Sequence, residues 1–362
     1  MFITLIIFFA ILLVLVLSHE AGHFFSALFF GINVEEFGFG LPPRMFGIKS
    51  KKGILYSFNW LPFGGFVKIT GEEGGSTSDP TNFSAKPAWI RAVVLASGIV
   101  MNLLLAYVVF SIITGLGTYE AVDDADVAKY PGAKVTIIQV LQNSPASEAE
   151  LMEGDQILNA VSGADSITTK NIDEVRKFIA DHKGKELLLM LKRGEDEFTK
   201  IVQSRANPPE GEGPMGVALA LLHIKKAPWY LTPIEGAKLT WSATAATAEG
   251  FWSLTKSIFE KEDKKDLQIA GPVGIFNLTA SARSMGLTTL LTFLALLSIN
   301  LAIINVLPIP GLDGGRLFFV IIEAIRGKRI SMKASSLIHG IGLAVLLALM
   351  LAITFYDISK IF

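Results

Sequence analysis

Four long apolar runs restrict the folds open to this chain more than any other feature of its sequence. They cover residues 2–30, 92–117, 286–307 and 336–356, and each supplies the roughly 20 mostly apolar residues that a ~30 Å hydrocarbon core requires. A helix satisfies every backbone N–H and C=O within itself, as a segment in lipid must. Composition agrees, with 51% of the 362 residues hydrophobic and 18% charged. The expected fold is a polytopic α-helical membrane protein with about four transmembrane helices. The first run is preceded by no basic residue and overruns the ~7–15-residue apolar core of a signal peptide, so it reads as a retained span. A net charge of −1 argues against a nucleic-acid partner. With no cysteine, disulfides and thiolate metal sites are excluded, leaving His and carboxylates as strong ligands.

Basic residues orient the spans. Arg44, Lys49, Lys51, Lys52, Lys68, Lys86 and Arg91 follow the first span, and Arg316, Arg326, Lys328, Arg329 and Lys333 separate the third from the fourth. The positive-inside rule puts both loops in the cytoplasm. Both termini, and residues 118 to 285, then lie on the far side.

Four regions follow. Residues 1–117 are an N-terminal membrane part containing two spans and a cytoplasmic-side β region at 31–70. Within it, ILYSFNWLPFGGFVKI (54–69) reads as two short strands around Pro62 to Gly65, a membrane-associated hairpin. Residues 118–208 have the composition of a soluble α+β domain, with 16 Asp+Glu against 11 Lys+Arg. There VTIIQV (135–140) alternates as a strand does. SPASEAELMEGDQILNAVSG (144–163) gives a short helix, a turn at Gly154-Asp155 and a strand. Ile172, Val175, Phe178 and Ile179 share a helical face, and KELLLMLKRGEDEFTKIV reads as a hairpin turning at Arg193-Gly194-Glu195. Residues 209–285 form a linker in which Trp229, Tyr230, Leu239, Trp241, Phe251, Trp252 and Ile258 stand among polar residues. That pattern suits an amphipathic helix on the outer membrane surface rather than a fifth span. Residues 286–362 hold the last two spans.

Chemistry concentrates in LVLSHEAGHFFSALFF (15–30). Ionisable side chains at membrane depth default to a functional explanation, because desolvation penalises them. His19 and His23, four residues apart on a helix, share a face and can chelate one metal, with Glu20 beside them. Catalytic zinc takes three protein ligands and keeps one open position. Candidates for the third ligand are Asp313, His339 and Glu323. Asp313 sits in NVLPIPGLDGGRLFF (305–319), where two prolines and three glycines break the helix at the cytoplasmic end of the third span. It is the first choice and His339 the second.

Taken together, HEAGH, GFG at 38–40, PFGGFVKI, SGIVMN with Asn102, GPVGI at 271–275 and NVLPIPGLDGG resemble the intramembrane site-two protease family, in its bacterial RseP-like branch. The 118–208 region, through its SPA…A.L..GD.IL run, is similar to one bacterial PDZ domain. Ile99 stands where relatives often place proline. The resemblance implies zinc on His19, His23 and Asp313, Glu20 as general base, and Asn305, Pro308 and Pro310 shaping the site and holding substrate backbone. It implies a multi-pass protein of a bacterial inner membrane that cleaves single-pass transmembrane proteins, with anti-sigma factors or leftover signal peptides as substrates. From the PDZ likeness follows a groove between a strand and a helix for an extended peptide or C-terminus, its mouth near Tyr130-Pro131-Gly132-Ala133. The alternative function is a metal transporter or scaffold that uses the same ligands without hydrolysis.

Overall fold

In the computed structural model, described over residues 1–72, 79–194, 196–209, 211–260 and 271–359, each apolar run is a single helix. The chain begins α1 (Phe2–Phe29), β1 (Val34–Lys49), β2 (Leu55–Ile69) and α2 (Ala88–Leu116). It continues β3 (Thr118–Ala121), β4 (Lys134–Val140), α3 (Pro145–Glu148), β5 (Gln156–Ser162), β6 (Asp165–Thr168) and α4 (Ile172–Asp181). Then come β7 (Glu186–Arg193), β8 (Asp196–Gln203), β9 (Val217–Lys225), α5 (Thr232–Glu260) and α6 (Pro272–Ser284). The last helices are α7 (Leu287–Val306), α8 (Asp313–Arg326) and α9 (Met332–Ser359). Among the described residues four segments are long and apolar enough to cross a membrane: α1, α2, α7 and Lys333–Ser359 of α9. Their outer surfaces carry exposed Val14, Leu104, Val108, Leu347 and Leu351, side chains that suit lipid rather than water. α5 is one continuous helix and is not among the four.

Two compact units divide the chain. One comprises Met1–Ser111, Pro233–Asn277 and Thr292–Phe362; the other comprises Ile112–Thr232 and Leu278–Leu291. In the first, α1 and α2 approach closely because glycines face the contact. A Cβ on Gly22 would lie 2.3 Å from the Ser97 carbonyl oxygen, the small-residue packing by which helices associate without a hydrophobic drive. Phe24, Ala27, Ile32, Val34, Ile54, Ile69, Val94 and Val320 form a buried cluster joining α1, α2, α8 and the β region.

The β region differs from the simple hairpin expected at 54–69. Leu55–Phe58 and Gly65–Lys68 do not pair with each other. Both flank β1: Glu36 to Phe39 face Leu55 to Phe58 on one side and Lys68 to Gly65 on the other. The second half of β1 then folds back, setting Phe46–Lys49 against Phe58–Leu55. The pairing partner is 19 to 35 residues upstream, from Glu36↔Leu55 to Val34↔Ile69, so a local reading of 54–69 misses it. Its result is that Gly65–Ile69 forms one border of the sheet.

In the second unit a seven-stranded sheet has the order β3-β9-β4-β5-β7-β8, with β6 pairing β5. Val135, Ile137, Ile157, Val175, Leu187, Leu189, Leu191 and Leu221 fill its core. In β7 the inward Leu187, Leu189 and Leu191 alternate with exposed Leu188 and Met190, the period-2 signature of a half-buried strand. Asn171 caps α4 by accepting the Glu174 N–H, and Val175, Phe178 and Ile179 bury its inner face. The β7–β8 hairpin closes at Arg193 and Asp196. The expected boundary at residue 208 is corrected: β9 pairs with both β3 and β4, so the sheet runs to Lys225. β4 pairs along its length with β9 and meets β5 at Thr136 and Gln156, and α4 lies against β9.

Candidate metal centre and active site

Position 22 of α1 is a glycine, and the residues around it turn two imidazoles toward α2. His19 and His23 are 8% and 6% exposed. Nδ1 of His23 lies 2.8 Å from the Val94 carbonyl oxygen, which only accepts, so Nδ1 carries the proton and Nε2 of the neutral ring carries the lone pair. Asn102, fully buried in α2, places its amide 3.2 Å from Nδ1 of His19. Its Oδ1 is buried without a partner; turning the amide over sets that oxygen against an Nδ1–H and frees Nε2 of His19 as well. Ser298 of α7 in turn donates to the Asn102 backbone oxygen at 2.8 Å. Outer-shell partners of this kind fix the tautomer and orientation of metal-ligating imidazoles.

The third group arrives from the broken helix. Pro308 and Pro310 end α7, and Gly311, at φ +98°, turns the chain. A Cβ at Gly314 or Gly315 would stand 2.3 Å from a carbonyl of that bend, and one at Gly342 of α9 would stand 2.1 Å from the Pro310 oxygen. The glycines therefore let α8 fold back against the bend with Asp313 as its first residue. Its Oδ2 lies 2.8 Å from His19 Nε2 and 3.0 Å from His23 Nε2, and the two nitrogens are 3.3 Å apart.

Three lone-pair atoms converge, from residues as much as 294 positions apart. Tetrahedral zinc with ligand bonds of ~2.0–2.1 Å separates its ligands by roughly 3.3 Å, so the triangle fits such an ion with little adjustment. Among the described residues this is the group of His and carboxylate side chains that could hold a metal. Burial pushes the Asp313 carboxyl up, but the hydrogen bonds and charge of His19 and His23 outweigh it and hold the group well below the usual carboxylate range.

Other expected residues lie elsewhere. Nδ1 of His339 accepts the Gly311 N–H at 3.1 Å and so braces the bend. Glu323 pairs with Arg91 at 2.7 Å. Neither joins the triangle. Asn305 is buried in the last turn of α7, and Pro308 and Pro310 form the bend behind Asp313.

A cavity of about 830 Å³ adjoins the triangle, with Glu20, His23 and Asp313 in its wall. Residues 65–69 of the bordering strand line it as well. The Val67 backbone N–H donates to the Glu20 carboxylate, and Gly65 packs so closely that its Cβ would meet Val16 at 2.6 Å. Glu72 and Arg316, paired with each other, complete the wall. Burial pushes the Glu72 carboxyl up, with the Arg316 charge opposing it. Sequence reasoning did not single out Gly98, Glu72 or Arg316, and isolated residues of these types carry no local signal of a site.

Comparison with known proteins identifies the family. The profile described as Peptidase family M50 matches residues 7–349. The Clostridium perfringens protein CPE1693 is 36% identical over 344 residues, 95% of each chain. The zinc metalloprotease RasP of Bacillus licheniformis is 30% identical across 99% of each chain. The regulator of sigma-W protease RasP of Bacillus subtilis is 29% identical across 99% of each chain. The chain therefore belongs to Peptidase family M50 and is a protease.

Proposed function

We propose that this chain is an intramembrane zinc endopeptidase that hydrolyses peptide bonds in or near the transmembrane segments of single-pass membrane proteins. The observation that carries the reading is the convergence of His19, His23 and Asp313 beside Glu20 in one cavity. The metal is zinc, held by those three side chains, and when bound it supplies Lewis acidity and a nucleophile at neutral pH. Glu20 is the general base: its carboxylate takes a proton from water and passes it to the leaving amine. The Val67 N–H fixes that carboxylate. Asn305, Pro308 and Pro310 act by shaping the bend that presents Asp313 and by holding substrate backbone.

A helical substrate hides its carbonyls in i→i−4 bonds, so it must open before attack. Strand 65–69 supports a way to do this, since a bordering strand beside the cavity can pair with an extended segment. The basic loops after the first and third spans support a site toward the cytoplasmic face with both termini outside. Bacillus subtilis RasP is named for regulating sigma-W. A matching role here is regulated intramembrane proteolysis in a bacterial inner membrane, with anti-sigma factors or remnant signal peptides as substrates. The sheet unit is a PDZ-like domain that either excludes large ectodomains or recruits a new C-terminus. Removing Thr118–Lys225 separates these: loss of a filter permits cleavage of full-length substrates, and loss of a recruiter abolishes cleavage.

A transporter or scaffold would use the same ligands but has no use for a carboxylate aligned by Val67. Metal analysis of His19→Ala, His23→Ala and Asp313→Asn tests the ligand set. Each is expected to lose zinc that wild type retains. Full zinc in any of them would remove that residue from the set.

A further inference from the structure

A second cavity, of about 360 Å³, lies in the same unit and collects polar groups that the metal centre does not use. Ser84, Arg91, Glu323, Arg329 and His339 stand in its wall. Glu323 is already committed, to Arg91 at 2.7 Å and to the Ile330 N–H at 2.9 Å. Nδ1 of His339 accepts from Gly311, so the neutral ring carries its proton on Nε2. That Nε2–H is buried without a partner, and so are the Ser84 hydroxyl and the Arg91 Nε–H. Ser84 itself is 7% exposed. Oε2 of Glu323 is the remaining orphan there, and it faces the Arg91 guanidinium in their ion pair. Arg329 forms no ion pair among the described residues.

Orphan donors in a protein interior are costly, and these belong to residues of separate elements that line one space. Arg91, Arg316, Arg329, Glu72 and Glu323 line it too, leaving one positive charge in excess. A group that offers several acceptors, no donors and a negative charge satisfies all of this together. Donors arriving from the turn before α2, from α2, from the α8–α9 turn and from α9 suit a tetrahedral oxyanion rather than a planar carboxylate. Arg326 ends α8 and the turn after it carries Lys328 and Arg329, and basic pockets between transmembrane helices at the cytoplasmic face recognise lipid headgroups. We propose that this cavity is a phosphate-recognising site, which takes the headgroup phosphate of an anionic lipid or a free phosphate ion. Arg316 and Glu72 line this cavity and the catalytic one alike, so a phosphate that draws on Arg316 loosens its hold on Glu72.

The test is thermal unfolding of the full-length protein in neutral detergent, titrated with inorganic phosphate or with short-chain phosphatidylglycerol. Chloride and short-chain phosphatidylcholine are the controls. At least one phosphate probe is expected to raise Tm saturably. Apparent affinity should fall about tenfold or more in Arg329→Gln, fall in Ser84→Ala, and stay unchanged in Arg326→Gln, whose side chain is outside the cavity wall. Arg329→Lys keeps the charge and should retain binding, which separates recognition from misfolding. A response to phosphatidylglycerol alone assigns the site to lipid, and a response to inorganic phosphate alone assigns it to the free ion. No saturable shift, a shift matched by the controls, or one unaltered by Arg329→Gln and Ser84→Ala would overturn the proposal.

Discussion

A Cβ on Gly98 would stand 2.4 Å from Nε2 of His23, and 2.8 and 2.9 Å from the ring atoms Cε1 and Nε2 of His19. No real side chain approaches that closely, so α2 holds both imidazoles in place by offering them a bare backbone. Gly98→Ala should therefore displace the rings. Zinc affinity is expected to fall about 10- to 100-fold, although alanine favours a helix over glycine by ~1 kcal/mol. Zinc binding at buffered free metal, read beside Tm, checks this. Wild-type affinity in Gly98→Ala would mean the histidines have slack.

Val67 directs its backbone N–H at the Glu20 carboxylate. Val67→Pro removes that donor from a strand at the sheet border, where proline is tolerated best. A hydrogen bond to a charged group is worth about 1.5–3 kcal/mol, so kcat should drop about 10- to 100-fold with zinc content unchanged. Equal loss of zinc and rate would point to a collapsed strand instead.

The Asp313 carboxyl is held below the usual carboxylate range. A depressed folded pKa means the ionised form persists as pH falls and is lost only below the ordinary carboxylate value. Acidification should then release zinc by protonating the two imidazole ligands while Asp313 stays ionised, so about two protons are expected to be taken up per zinc released. A three-proton slope above pH ~4 would show Asp313 titrating with the histidines.

In the sheet unit, Asp155 is fully buried, accepts the Met152 N–H at 2.9 Å and pairs with Arg193 at 2.6 Å. The Arg193 guanidinium is held above its ordinary pKa, chiefly by that hydrogen bond. Removing one partner of such a pair typically costs about 3–5 kcal/mol. Asp155→Ala should cut hydrogen-exchange protection of β5 and β7 amides by at least about 100-fold. A loss under tenfold would make the pair peripheral.

Much of this is legible in the sequence. The four spans follow from apolar length, because lipid leaves the backbone one choice. HEAGH announces two ligands on one helical face, and the prolines and glycines around Asp313 announce a broken helix. What stayed hidden depends on long-range approach. Residues 36–39 pair with two segments on opposite sides, so no short window of sequence contains the sheet. VALALLHIK follows a Pro/Gly-rich stretch that reads as a linker, and only its pairing with β3 and β4 makes it a strand of the core sheet. Gly98 became informative once the histidines were seen to rest on it. His339, a second candidate for the metal, braces the bend instead.

The most direct measurement pairs zinc analysis with cleavage of a model single-pass transmembrane substrate by wild type and Glu20→Gln. Wild type should bind about one zinc per chain and cleave the substrate. Glu20→Gln should keep the zinc and lose cleavage by at least about 100-fold, the contribution of a positioned general base. Undiminished cleavage by Glu20→Gln, or a wild-type protein that cleaves without zinc, would contradict the mechanism.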